Sequence, residues 1–118
     1  MANDSITVIE TAEQYQELIN SPGKTTIIDF WADWCMPCKA IAPRFAKLAE
    51  DNTNDNLVFA KVELKMEEAD HWTGPVANEL KIVSIPHFVA LRDGKKIESQ
   101  KGAQVNLVAF VSQVQALE

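Results

Sequence analysis

An α/β sandwich, a mixed β-sheet with helices on both faces, is the fold class this sequence predicts, and three patterns predict it. Residues 25–32 form a nearly continuous β-branched and apolar run, the pattern of a central strand covered on both faces. Immediately after Cys35 the apolar period changes to three- and four-residue steps, which is helical. Beyond that point strand-like and helix-like segments continue to alternate, and such alternation packs helices against a sheet. A chain of 118 residues with no repeat, low-complexity tract or linker reads as one domain, 1–118.

Residues 5–10 alternate Ile6 and Val8 with polar neighbours and predict a short edge strand. Thr11-Ala12-Glu13-Gln14 has the form of a capping box, and Tyr15, Leu18 and Ile19 follow at helical spacing until Ser21-Pro22-Gly23 stops the helix. The central strand, 25–32, comes next. Cys38, Ile41, Ala42, Phe45, Leu48 and Ala49 then mark one face of a helix that runs to about Asn52. Pro43 lies inside it and is expected to kink it, because proline lacks the backbone donor and crowds the preceding turn. Residues 57–64 predict a strand, and 67–80 a loop and a short helix restarted at Gly74-Pro75. Residues 87–91 and 96–100, joined by Arg92-Asp93-Gly94-Lys95, predict an antiparallel hairpin. Leu107, Phe110, Val111, Val114 and Leu117 predict a closing amphipathic helix.

Composition narrows the function. The net charge is -6, with acids gathered at Glu63, Glu67, Glu68 and Asp70, a balance that repels phosphate backbones and anionic lipid. Neither nucleic acid nor a membrane is an expected partner. No apolar stretch approaches the ~20 residues needed to span a bilayer. Met1-Ala2-Asn3-Asp4-Ser5 lacks the basic-then-apolar pattern of a secretory signal, so an intracellular, cytoplasmic location is expected.

The chain has two cysteines, both in Cys35-Met36-Pro37-Cys38. A disulfide there closes almost no loop and removes little entropy from the unfolded chain, so stability is a poor reason for it. Zinc would need two further ligands, and His71 and His87 lack finger-like spacing. Redox chemistry fits better. Where a buried strand hands over to a helix, the first cysteine meets the unpaired N–H groups and the positive end of the helix dipole, which favour a thiolate. Cys35 is therefore the expected nucleophile at the exposed helix start, with Cys38 one turn further in as the shielded resolving thiol. Pro37 suits the first helical turn.

The resolving thiol must lose a proton in an apolar setting, where ionisation is unfavourable, so a base nearby is useful. Asp29 is the candidate. It interrupts an apolar run, and burial should raise its pKa toward neutrality, although a hydrogen-bonded core carboxylate is the alternative reading. Lys61, from the next strand, is its expected partner. Trp31 is read as core packing, Trp34 as packing and contact, and His71, His87 and Trp72 as packed, solvated or loop residues.

The stretch from Asp29 through Trp34-Cys35-Met36-Pro37-Cys38-Lys39, followed by Ile41-Ala42-Pro43, resembles the active-site signature of the thioredoxin family. Ile85-Pro86 resembles the family's cis-proline, and Arg92-Asp93-Gly94 and Lys101-Gly102-Ala103 resemble its last hairpin and the segment after it. The resemblance implies the thioredoxin fold, four helices around five strands, and a protein-disulfide reductase working through a reversible Cys35–Cys38 dithiol/disulfide pair. It further implies that Trp34, Met36, Pro37, Ile85 and Pro86 line the substrate surface, while Asp29 and Lys61 assist Cys38. No bound cofactor and no metal are expected. Electrons would come from NADPH through thioredoxin reductase and pass to disulfide-containing client proteins, with the chain a monomer. Three features depart from the family pattern: Met36 stands where glycine is usual, His87 where threonine is usual, and 65–75 is longer than typical. An oxidase or isomerase, a non-catalytic binding module and a glutaredoxin are the rival readings, and intact cysteines preceded by Trp34 disfavour the last two.

Overall fold

In a computed structural model that describes residues 5–117, the strand formed by the β-branched and apolar run after Lys24 is the centre of the sheet. The elements run β1 (Ile6–Val8), α1 (Ala12–Ile19), β2 (Thr25–Trp31), α2 (Met36–Asp51), β3 (Leu57–Glu63), α3 (Thr73–Glu79), β4 (His87–Arg92), β5 (Lys95–Lys101) and α4 (Leu107–Ala116). This is the order the hydrophobic periods predict. The five strands lie in the order β1-β3-β2-β4-β5. β1 and β2 flank β3 in parallel, and the β4–β5 hairpin runs antiparallel on the other side of β2.

Alternation along the strands divides the interior into two layers. Ile28 and Phe30 of β2, with Ala60, Val62, Val89 and Leu91, pack against Tyr15 and Ile19 of α1 and Val76 and Ala77 of α3. Ile27, Phe59, Phe88 and Ala90 face the other way, onto Ile41, Phe45 and Ala49 of α2 and Phe110, Val111 and Val114 of α4. Phe45 sits between Phe59 and Phe88, with ring centroids 5.4 and 5.6 Å away. Helices therefore cover both faces of β2, and every β2 residue from Thr25 to Phe30 is buried.

Local chemistry sets the element ends. Thr11 and Gln14 form the expected capping box: the Gln14 N–H donates to Thr11 Oγ1, and the Glu10 and Thr11 N–H groups donate to Gln14 Oε1. Asp93 and Gly94 both have positive φ, 52° and 77°, which makes the hairpin connection a two-residue turn of the primed type. The Gly94 N–H donates to the Ile19 carbonyl, and a Cβ on Gly94 would lie 2.7 Å from Asn20 Oδ1, so this turn docks onto the end of α1. α2 continues through Pro43, whose missing N–H leaves the Lys39 carbonyl without its helical donor.

Three apolar expectations fail: Ala42 of α2 is exposed, and two more residues fail at the periphery. Val8 is 48% exposed because β1 is an edge strand with no helix over its outer end. Leu117 is 54% exposed because α4 stops at Ala116 and Leu117 is its C-cap, beyond the covered face. No described helix is long and apolar enough to cross a membrane.

Candidate active site

The β2–α2 junction carries the two cysteines. Cys35 is the N-cap of α2, with extended backbone, and its Sγ accepts a hydrogen bond from the Cys38 N–H at 3.2 Å. Cysteine here takes the place of the usual capping oxygen, since the first helical N–H groups have no partner within the helix. Met36 and Pro37 follow as the first two helical residues, both exposed, and Cys38 turns inward. Cys35 and Cys38 are joined by a disulfide with their Cα atoms 5.3 Å apart.

Cys38 is 1% exposed, the shielded position expected of it, but Cys35 is only 5% exposed. The sequence expectation of an openly exposed Cys35 is thus corrected. In the disulfide both sulfurs turn under the helix start and pack with Ala32, Trp31 and Ile85. Ile85 closes the site from the other side, its carbonyl oxygen 3.9 Å from Cys35 Sγ. The Ile85–Pro86 bond is cis, Pro86 is buried, and its carbonyl accepts from the Gly102 N–H at 2.8 Å, which ties this turn to the segment after β5. Trp34 projects beside the cysteines, 66% exposed, and Met36 is 71% exposed.

Asp29 lies in β2, two residues before the end of that strand at Trp31. Strand alternation sets it on the same β2 face as Ile27 and Trp31, the face that α2 covers. It is 4% exposed, and its Oδ1 has no hydrogen-bond partner, which disfavours the reading of a satisfied core carboxylate. Burial pushes its pKa up to about 7, against the opposing pull of the Lys61 charge. Lys61 is the direct parallel neighbour of Asp29 in the sheet, as expected. The two form no ion pair, however. Lys61 Nζ instead sits over the Trp31 ring, 5.6 Å from its centroid. The nearby ion pair is Lys39–Asp33 at 3.4 Å, across the first turn of α2.

His87 follows Pro86 as a packed residue. It is 6% exposed, with a buried Nδ1 that lacks a partner. Burial lowers its pKa, and Lys96 and Lys101 lower it further. Sequence reasoning did not find Met66 and Val83, which stand 60% and 83% exposed close to Trp34 and Ile85. The available signal was an apolar residue within the acidic stretch 63–70. Among the described residues, no cluster of three or more His, Cys, Asp or Glu is placed to hold a metal ion.

A family model described as Thioredoxin matches residues 6–114. The chain belongs to the thioredoxin family. The thioredoxin of Coprinus comatus is 40% identical over 110 residues, spanning 93% of this chain and 95% of that one. Among solved structures, Malassezia sympodialis thioredoxin is 31% identical with a TM-score of 0.74, over 94% of this chain and 89% of its own. A chain in the crystal structure of a ferredoxin:thioredoxin reductase and thioredoxin f2 complex is 26% identical with a TM-score of 0.73, over 95% and 94%. The fold is accordingly the thioredoxin fold. With its cysteine pair at disulfide distance, this family member is a protein-disulfide oxidoreductase.

Proposed function

We propose that this thioredoxin-family chain reduces disulfides of client proteins, with Cys35 as the attacking thiol, Cys38 as the resolving thiol and Asp29 as the base that serves Cys38. The observation that carries this assignment is the Cys38 N–H donating to Cys35 Sγ, because a donor held there stabilises negative charge on that sulfur alone. In the reduced state the Cys35 thiolate attacks one sulfur of a client disulfide and expels the other as a thiolate. The Cys38 thiol loses its proton to Asp29, and its sulfur attacks Cys35. The Cys35–Cys38 disulfide re-forms and the client leaves with two reduced thiols. Two electrons pass to the client, and two must be returned from outside. A carboxylate whose pKa lies near 7 suits that proton transfer, since it is part ionised at neutral pH. Lys61 acts on Asp29 through its charge from one strand away. Trp34, Met36, Pro37 and Ile85 form the client-facing surface around the disulfide, whereas Pro86, expected in that surface, is buried behind Ile85.

NADPH through thioredoxin reductase is the proposed electron source, the cytoplasm the proposed location, and the monomer the working form. The relative solved with a ferredoxin:thioredoxin reductase supports a reductase as partner and supplies the competing donor. Insulin-disulfide reduction should be measured with NADPH and thioredoxin reductase, with ferredoxin:thioredoxin reductase and reduced ferredoxin, and with glutathione. Turnover with the first system at least tenfold above the others is expected. Turnover with glutathione alone overturns the thioredoxin assignment, and turnover only with the ferredoxin system replaces the donor.

A further inference from the structure

Beside the disulfide lies an apolar groove of about 310 Å3, walled by Trp34, Leu64, Met66, Val83 and Ile85, with Ser84 its one polar side chain among these. It adjoins the reactive pair through Ile85, which belongs both to the groove and to the packing around Cys35. Trp34, Met66 and Val83 leave large apolar surfaces in water, an arrangement that water disfavours and a partner's side chain relieves.

The wall that carries Met66 is a fixed structure. It belongs to residues 64–72, the long connection between β3 and α3. The Lys65 N–H donates to Thr73 Oγ1 at 3.2 Å, and the same hydroxyl pairs with His71 Nδ1 at 2.9 Å, which closes the loop at its base. Turns within it are held by Glu68 N–H to Lys65 carbonyl and His71 N–H to Glu68 carbonyl bonds. Trp72 clamps the far end to the β1–α1 junction: its Nε1–H donates to the Glu10 carbonyl at 3.2 Å, and its ring lies 6.1 Å from Tyr15. Directly beyond Met66 the exposed surface is acidic, with Glu67, Glu68 and Asp70.

We infer that Met66 is a specificity-determining residue for clients, and that this surface selects a client segment with a large apolar side chain beside its cysteine and a Lys or Arg beyond it. The apolar side chain enters the groove between Met66 and Val83. The basic residue meets Glu67 and Glu68. Trp72 is a positioning residue that holds the loop, and with it Met66, against the groove. This inference rests on the exchange reaction proposed above.

Pre-reduced protein should be mixed with mixed disulfides of β-mercaptoethanol and three peptides that differ only beside their single cysteine, in Leu-Lys, Leu-Glu or Ser-Lys. Second-order rate constants come from alkylation quenching and mass measurement, with 2-hydroxyethyl disulfide as the flank-free reactant. The Leu-Lys peptide should react about tenfold faster than the Ser-Lys peptide, the usual reach of one apolar pocket. Met66→Ala should reduce that ratio to about threefold or less, and Met66→Leu should keep it. The double variant Glu67→Gln, Glu68→Gln should remove most of the Leu-Lys over Leu-Glu preference, which salt should also weaken. Equal rates for the three peptides, or a Leu-over-Ser ratio untouched by Met66→Ala, overturn the inference. Failure of the parent protein to reduce 2-hydroxyethyl disulfide instead overturns the exchange reaction itself, and the inference falls with it.

Discussion

The Cys38 N–H points at Cys35 Sγ across 3.2 Å, so the backbone of one cysteine stabilises charge on the sulfur of the other. This arrangement is one-directional, since Cys38 lies inside α2 and its own sulfur has no such position at the helix start. Iodoacetamide applied to reduced protein at about pH 6, below the ordinary thiol range, should therefore label Cys35 in preference to Cys38 by at least tenfold. Peptide mapping reads the result, and preferential labelling of Cys38 reverses the two roles. A Cys38→Ser variant should accumulate mixed disulfides with clients through Cys35.

Asp29 should make the fold less stable as pH rises. Its carboxyl has a pKa of about 7 in the folded chain against 3.8 unfolded, so the folded state binds the extra proton between those values. Unfolding free energy then falls with rising pH, by up to about 1.4 kcal/mol for each pH unit from this group. The favourable contribution is complete below about pH 4 and is gone above about pH 7. Asp29→Asn, which removes the ionisation with little change in shape, should stabilise the protein by about 1–3 kcal/mol at pH 8 and by nearly nothing at pH 4. Urea unfolding at the two pH values measures the difference, and equal stabilisation at both sinks the assignment.

The same substitution should slow resolution. With Asp29→Asn, decay of the Cys35 mixed disulfide should be about 10²-fold slower at pH 7, the ordinary loss when a positioned base is removed. The initial attack by Cys35 should be less affected. Stopped-flow tryptophan fluorescence separates the two phases, and an unchanged resolution rate across pH 6–8 refutes the role of Asp29 as base.

His87 should give the opposite pH trend. Burial and the charges of Lys96 and Lys101 disfavour its protonated form, so its folded pKa lies below the ordinary 6.5. The stability it contributes is present above that value and is lost as pH falls through the lower folded pKa. His87→Thr should flatten the acid side of the thermal-melting profile, seen as a smaller fall in Tm between pH 7 and pH 5 than in the parent. An identical fall in both proteins counts against it.

Met36 is 71% exposed at the first position of α2, directly after Cys35. Met36→Gly should lower stability by about 0.5–1 kcal/mol through backbone entropy at the helix start. It should also slow reduction of apolar-flanked clients several-fold, because a broad apolar contact beside the attacking sulfur is lost. Urea unfolding and peptide-disulfide kinetics test the two effects separately.

Much of this molecule is written locally. The change from a β-branched run at 25–32 to a helical period after Cys35 is a short-range pattern, and it sets the strand–helix junction that makes Cys35 a cap. Thr11 with Gln14, and Asp93 with Gly94, specify a helix start and a tight turn through bonds and dihedrals within a few residues. The order of nine elements and the identity of the reactive pair follow from such patterns. Relationships between distant segments are decided only when the sheet closes. Asp29 and Lys61 become neighbours through β2–β3 register, yet side-chain packing sends the Lys61 ammonium to the Trp31 ring, and no spacing rule encodes that choice. Cys35 is capping and buried together because Ile85, fifty residues away, covers it from the β4 side. Met66, inside a run of acids, faces the groove because Trp72 fastens its loop to Glu10 and Tyr15, a contact spanning 62 positions. Periodicity reports which face of an element is apolar, but the partner for that face is set by the whole chain's packing.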